Sequence, residues 1–393
     1  MESRISKYRI VNGETFFALL FVSLAIVAFF PLVYNSAGLY QLVKYVIYGV
    51  LVYLAVATRI VKVLNSKAIV ISMLIVFFAA LQLLIFNSQG LRVRWNDISC
   101  LVIVVLLMGV GFCCHMDENQ IELAVLVFAA FSTVAGLWSM FYYVGDLTIT
   151  GYLYAVDAKN QIGQFVASSA AGVMVLLFTN KKNRIIKIAL LSMLVVLLFV
   201  LRCRTALLAF LVFAVYYYFK SHEVHNLFFV LMFFVLFFVL FYDQILSFME
   251  DVFVGNKDIT DMNAVSSNRM ERNVEGMRFW SLNPIFGEMK TPSDVLRIHN
   301  YLINILVAYG IFAFPFFVLF FYLLFLTVKK WKKSYALNVS CVGYWIMFIP
   351  FFCSLLEPSA PYGPGLVQAV PFFLLGNSMR MIKENRLQNV NTA

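Results

Sequence analysis

Two kinds of side chain in this sequence could do chemistry together: one histidine and a few arginines. His299 opens a long apolar run. An imidazole with an ordinary pKa of about 6.5 can take a proton from a hydroxyl group at neutral pH. Arg202 and Arg204 bracket a short turn between two earlier apolar runs, and a guanidinium group presents a planar fork that matches phosphate oxygens. These residue types predict proton transfer from a hydroxyl group beside a bound phosphate or diphosphate.

Each of these residues also has a simpler interpretation. His299 could contact lipid head groups without a chemical role, and Arg202 and Arg204 could extend to head-group phosphates. A charge near hydrocarbon needs a partner, because burying it alone is costly. Lys159, beside Asn160 at the start of another apolar run, adds a cation that could simply be solvated.

The segment 248–298 is the only long hydrophilic stretch, and it supplies the remaining candidate cations. Asn268 followed by Glu271 has the spacing of a capping box, which predicts a helix through Trp280 that ends before the Asn283-Pro284 turn. The apolar end of this short amphipathic helix is predicted to lie on the membrane surface. The helix carries three arginines that could approach the same anion: Arg269, Arg272 and Arg278.

The composition requires these residues to be held by membrane-spanning helices. The chain has 62% hydrophobic and 13% charged residues and a mean hydropathy of +0.87, whereas a soluble domain carries about 25% charged residues. The apolar runs are about 20 residues long and do not alternate at period two, so they predict helices rather than strands. The net charge of +10 comes from cations in short connectors, which argues against nucleic-acid binding.

The predicted fold is an all-α polytopic membrane protein of twelve spans in a single domain, residues 1–393. The first run has no cleavage site after it and is predicted to remain as a span. The cations cluster on one side, which the positive-inside rule assigns, with both chain ends, to the cytoplasm. Loop 248–298 then lies outside, and His299 is the only histidine on that side. The predicted spans are 16–34, 38–57, 68–87, 98–114, 121–144, 162–178, 185–201, 204–219, 227–247, 299–327, 336–356 and 364–379.

Several short motifs resemble the signature region of the O-antigen polymerase and O-antigen ligase superfamily. They occur in the order expected for that family, and the resemblance, with the large loop, extends over most of residues 150–320. The first 150 residues carry no such likeness. The motifs are Lys159-Asn160-Gln161-Ile162-Gly163, Cys203-Arg204-Thr205-Ala206, Ser266-Ser267-Asn268-Arg269, Asn283-Pro284-Ile285-Phe286-Gly287, His299-Asn300-Tyr301-Leu302 and Tyr309-Gly310-Ile311.

The resemblance implies an inverting glycosyltransferase of the bacterial inner membrane whose active site faces the periplasm. Its donor would be an undecaprenyl-diphosphate-linked glycan, with no metal or other cofactor, among membrane lipids and with a chain-length regulator as a possible partner. Arg204 and Arg269 match the family's arginines and would hold the diphosphate, while His299 would orient or deprotonate the acceptor. The residues expected to assist in binding are Arg202, Arg272, Arg278, Lys159, Asn160 and Asn300.

Three functions remain open at this level. The ligase branch has Gly, Thr or Tyr three residues after the motif glycine, where this chain has Ala313 after Gly310. That departure and the Lys-Asn-x-x-Gly motif favour a polymerase over a ligase. A lipid-linked oligosaccharide flippase or other secondary transporter would also have twelve spans, but it predicts inverted repeats and ionisable residues near the midplane. The sequence shows no repeat, and Lys44 is the one candidate within a span.

Overall fold

The computed structural model describes residues 66–114, 116–142, 156–180, 182–201, 203–221, 268–291, 298–332, 338–358, 360–363 and 368–391, with Gly49, Val63 and Leu64. Within these ranges the regular structure is helical and contains no strand. The helices are α1 Lys67–Ser88, α2 Trp95–Cys113, α3 Glu118–Tyr142, α4 Val156–Thr179, α5 Arg184–Val200, α6 Arg204–Ser221, α7 Arg269–Leu282, α8 Tyr301–Tyr309, α9 Phe314–Trp331, α10 Val342–Ile346, α11 Phe348–Cys353 and α12 Ala369–Asn391.

Five helical segments of the described chain are long and apolar enough to cross a membrane. They correspond to predicted spans, so the expected all-helical character is confirmed for this part of the chain. The predicted spans 16–34, 38–57 (apart from Gly49) and 227–247, and residues 248–267 and 292–297 of the predicted loop 248–298, lie outside the described residues. The five segments are Lys67–Ser88, Trp95–Cys113, Glu118–Ser139, Asn160–Thr179 and Tyr301–Trp331.

The structure divides two of the predicted spans. The run predicted at 299–327 is interrupted by a 3-10 turn, Gly310–Ala313, between α8 and α9. Gly310 has a φ of +58°, and the α-helix ends there because helical residues have a negative φ. Glycine adopts this conformation more readily than other residues do. The run predicted at 336–356 is a 3-10 turn, Val339–Cys341, followed by α10 and α11.

Helix α4 lies at the centre of the described helices. It packs against α3, α5, α6 and α10. Of the residues in its apolar stretch, 83% are buried inside the described structure, against 33% for α1. The run Ala167-Ser168-Ser169-Ala170-Ala171-Gly172 explains this position, because small side chains let neighbouring backbones approach closely. A Cβ added at Gly163 would lie 2.6 Å from the Cys203 sulfur. All six cysteines are buried.

The contacts define two ends of the bundle. At the first end, Arg380 donates to the Cys113 carbonyl and Lys220 to the Lys332 carbonyl. The Trp331 indole donates to the Tyr344 carbonyl. Several cations predicted to share the cytoplasmic side therefore lie together. The opposite end, where α4, α6, α7 and α8 begin, is called the His299 end.

Candidate functional site

The turn after α7 and the end of α8 interlock through two glycines. Gly287 has a φ of +55°, and a Cβ there would lie 2.2 Å from the Val307 carbonyl oxygen. A Cβ at Gly310 would lie 2.4 Å from the Ile285 carbonyl oxygen. The Ile311 amide donates to the Pro284 carbonyl at 2.9 Å. The Asn-Pro-x-Phe-Gly motif and the glycine after α8 thus form one packed unit that holds α7 against α8.

Helix α7 begins where the sequence predicts, but its cap differs. Asn268 precedes the helix with a left-handed backbone, φ 61°, and its side chain makes no capping hydrogen bond. The capping-box interpretation is therefore wrong. Asn has the polar side chain that most readily tolerates this conformation. The helix continues to Leu282, two residues past the predicted end.

Asn300 builds the start of α8. Its side-chain oxygen accepts from the Ile303 amide at 3.1 Å, the contact expected of an N-cap. Its side-chain nitrogen donates to the Leu355 carbonyl at 3.1 Å, and the Tyr301 amide donates to the Ser354 carbonyl at 2.9 Å. Asn300, predicted to bind substrate, thus serves to anchor α8 to the segment 354–358.

His299 is held by two residues of α7. Its backbone amide donates to the Asn273 side-chain oxygen at 3.2 Å, and its Nε2 lies 3.3 Å from Nη1 of Arg272. A guanidinium group has only donors, so Nε2 is the accepting nitrogen of the ring in this contact. The structure thus joins two of the predicted site residues, and the lone pair of Nε2 faces the Arg272 guanidinium.

Glu357 lies at the centre of a second group of contacts, with Arg269. Arg269 Nη1 lies 3.1 Å from Glu357 Oε1 and donates to Thr205 Oγ1 at 3.0 Å and to the Leu356 carbonyl at 2.8 Å. The Thr205 hydroxyl donates to Glu357 Oε1 at 3.2 Å, and Asn160 donates to Oε2 at 3.3 Å. Four separate parts of the chain therefore meet at one carboxylate.

Burial raises the pKa of the Glu357 carboxyl above its ordinary value. The Arg269 guanidinium and the donated hydrogen bonds act in the opposite direction. The Glu357 side chain is 6% exposed and that of Arg269 is 22% exposed. The arginine is therefore the member of this pair that a solute can reach.

The other predicted site residues fall around these two groups. Arg204 is the first residue of α6, half-buried, and directly precedes Thr205. Arg278 is exposed on α7. Arg202 lies outside the described residues, and so does the side chain of Lys159, whose backbone is in α4.

A third polar group borders α8. Arg94 forms an ion pair with Glu288 and donates to the Asn304 side-chain oxygen at 3.1 Å. Asn304 donates to the Pro358 carbonyl at 3.2 Å, which connects this group to the segment beside Glu357. The Tyr309 hydroxyl donates to Asp97 at 2.9 Å.

Sequence reasoning missed several residues of the site: Glu357, Thr205, Asn273, Asn304 and Arg94. One signal was available for Glu357. A carboxylate at the end of an apolar run requires a cationic partner, and the arginines predicted at the same end supply candidates. The choice of Arg269 depends on helix packing, which no local pattern contains.

The His299 end combines a proton acceptor with cationic donors. Such a group can bind an anion and accept a proton from a neighbouring hydroxyl group. Within the described residues, no cluster of three His, Cys, Asp or Glu side chains could hold a metal ion. Comparison with protein-family models and with curated protein sequences finds no match for this chain.

Proposed function

We propose that this chain is a membrane glycosyltransferase that joins undecaprenyl-diphosphate-linked oligosaccharide units into a surface polysaccharide. The activity would be that of an O-antigen polymerase, in a twelve-span protein of the bacterial inner membrane with its His299 end facing the periplasm. One observation carries the proposal. Two motifs that resemble the same superfamily are joined by the hydrogen bond from Arg269 to Thr205, 64 residues apart in the sequence, and Asn160 of a third motif reaches the same group through Glu357.

The reaction requires two kinds of assistance, and the residues at this end can supply both. The acceptor hydroxyl oxygen attacks the anomeric carbon, the bond from that carbon to the diphosphate oxygen breaks, and the diphosphate leaves with the electron pair. His299 Nε2 accepts the hydroxyl proton when the acceptor hydroxyl takes the place of the Arg272 guanidinium beside that nitrogen. Arg204 and Arg269 stabilise the charge that develops on the diphosphate, a contribution of about 2–4 kcal/mol for each donor. Arg272 lies beside His299 and can contact the same anion.

The test is glycan transfer by purified protein in liposomes. The donor is the lipid-linked repeat unit extracted from a strain of the same bacterium that lacks this gene. Longer lipid-linked chains support a polymerase. Transfer that occurs only after lipid A core is added identifies a ligase, and a change of sidedness without new bonds identifies a flippase.

Variants then test the residues. Arg204→Ala and His299→Ala should leave folded protein in the membrane but abolish chain extension in the deletion strain. Arg204→Lys should also fail, because a single ammonium group cannot replace the guanidinium fork. Wild-type glycan ladders from both alanine variants would show that the chemistry lies elsewhere.

A further inference from the structure

Glu357 is too enclosed to meet a substrate, although it lies at the centre of the site. The residue is 5% exposed, and both carboxylate oxygens accept contacts from other elements: Oε1 from Arg269 and Thr205, and Oε2 from Asn160. A carboxylate with all these contacts acts through its neighbours. The neighbour that could reach a substrate is Arg269.

The contacts of Arg269 with the described residues use one nitrogen of its guanidinium group. Within the described part of the chain, its polar contacts are all made through Nη1, to Glu357, Thr205 and the Leu356 carbonyl. Because the guanidinium group is planar, fixing Nη1 also fixes the directions in which Nη2 and Nε donate. These two nitrogens form the edge that matches a phosphate.

We infer that Glu357 is a positioning residue that holds Arg269 so that its Nη2 and Nε donate to the diphosphate of the donor. This inference rests on the proposed glycosyl transfer. Glu357 has two opposing effects on the diphosphate. Its negative charge repels the anion in the ground state, while its contact with Nη1 sets the geometry in which Arg269 meets the transition state.

These opposing effects give a signature that a purely structural role does not. Glu357→Gln keeps the shape but removes the charge and weakens the hold on Nη1. Binding of the diphosphate should therefore be retained or become tighter, while turnover falls about 10-fold or more, because the lost interaction is one made in the transition state. A residue that only stabilises the fold would lower the melting temperature without this separation of kcat from binding.

The chain contains a matched control at the opposite end. Glu122 is 4% exposed and is paired with one cation, Lys187, and one asparagine, Asn180. Glu122→Gln makes the same chemical change in a comparable environment away from His299. It should lower the melting temperature and leave the turnover of folded molecules unchanged.

The experiment measures three quantities on detergent-purified, monodisperse protein: the Kd for undecaprenyl diphosphate, the kcat for chain extension with the extracted repeat unit, and the melting temperature. The proteins compared are wild type, Glu357→Gln, Thr205→Val and Glu122→Gln. Thr205→Val is a milder change at the same site, because it removes one contact to Nη1 and retains the carboxylate. It should lower kcat by about 3-fold with little change in Kd.

The outcomes separate the inference from the proposed function. If wild type neither binds undecaprenyl diphosphate nor extends chains, the proposed function fails. If wild type does both and Glu357→Gln has wild-type kcat, the positioning role is overturned and the proposed function stands. If Glu357→Gln does not fold, Thr205→Val decides, and a wild-type kcat for that variant overturns the inference. An equal loss of kcat in Glu122→Gln also overturns it.

Discussion

Two glutamates, Glu122 and Glu357, are buried in the described part of the chain, and they have similar partners but leave their cations in different surroundings. Glu122 pairs with Lys187, whose side chain is fully buried and also donates to the Asn180 carbonyl at 2.9 Å. Glu357 pairs with Arg269, whose side chain is 22% exposed and contacts its partners through one nitrogen. An enclosed ammonium group can only join helices. A guanidinium group held on one side can join helices and still donate to a ligand.

The difference also follows from where the two groups lie. Asn180 and Lys187 lie on either side of the short connection between α4 and α5, and Glu122, in the first turns of α3, is 58 residues from Asn180 in the sequence. Glu357 joins Asn160, Thr205 and Arg269, which are 88 to 197 residues away from it in the sequence (357 − 269 and 357 − 160). The second arrangement gathers segments that carry the superfamily-like motifs, so we expect its loss to affect activity before stability.

The largest expected effect is on stability at the Glu122 group. Lys187→Met leaves a buried carboxylate without its cation and should lower the free energy of unfolding by about 3–5 kcal/mol. The turnover of the folded fraction should stay at the wild-type value. Thermal unfolding in detergent measures the loss of stability. The control is Lys182→Met, which removes an exposed cation from the connection between α4 and α5. A wild-type melting temperature would mean that Glu122 is not held by this pair.

Arg269→Lys should have the opposite pattern. An ammonium group can still pair with Glu357, so the melting temperature should change little, but it lacks the second and third donors of the fork. Chain extension should fall about 100-fold or more, the typical cost of losing a transition-state donor. Arg184→Lys makes the same exchange at an exposed position of the opposite end and should leave chain extension unchanged. Equal activity of the two variants would remove Arg269 from the mechanism.

Replacing each pair as a whole sharpens the comparison. Glu122→Leu combined with Lys187→Met should be neutral or stabilising by about 1–4 kcal/mol, because desolvation of both charges is avoided. Glu357→Leu combined with Arg269→Met should give a protein of comparable stability that does not extend chains. Melting temperatures and glycan ladders of the two double variants check this. Chain extension by the second double variant would contradict the prediction that the Glu357–Arg269 pair is required for activity.

Salt should give the smallest effect. Raising the ionic strength from 0.1 M to 1 M shortens the screening length from about 10 Å to about 3 Å. Binding of undecaprenyl diphosphate to the partly exposed arginines should weaken by about 3-fold. The stability difference between wild type and Lys187→Met should not change, because that pair is enclosed. Titrations and melting curves at both salt concentrations test this, and a salt-independent Kd would argue against arginine-based binding.

The helices are the part of this fold that the sequence predicts well. In hydrocarbon a segment must satisfy its own backbone hydrogen bonds, so an apolar run of sufficient length is a helix whatever its neighbours are. For this reason the predicted spans near α1 to α6 agree with the structure. Glycine and proline residues in the late apolar runs predict bends or interruptions, and the break at Gly310 confirms this for one of them. The positive φ of Gly310 follows from its packing against Pro284 and Ile285, which the sequence does not show. The capping box failed because an Asn-x-x-Glu spacing does not specify the backbone conformation of the Asn.

The sequence by itself determined the helical character of the chain, its apolar segments long enough to cross a membrane, and the residue types available for chemistry, since all three follow from local composition. Only the tertiary structure decided that Glu357 pairs with Arg269, that Arg272 contacts His299 Nε2, and that Asn300 and Asn160 hold other residues of the site. These contacts depend on which helix faces pack together. Side-chain shape and close backbone approach determine that packing, and residues far apart in the sequence contribute to it.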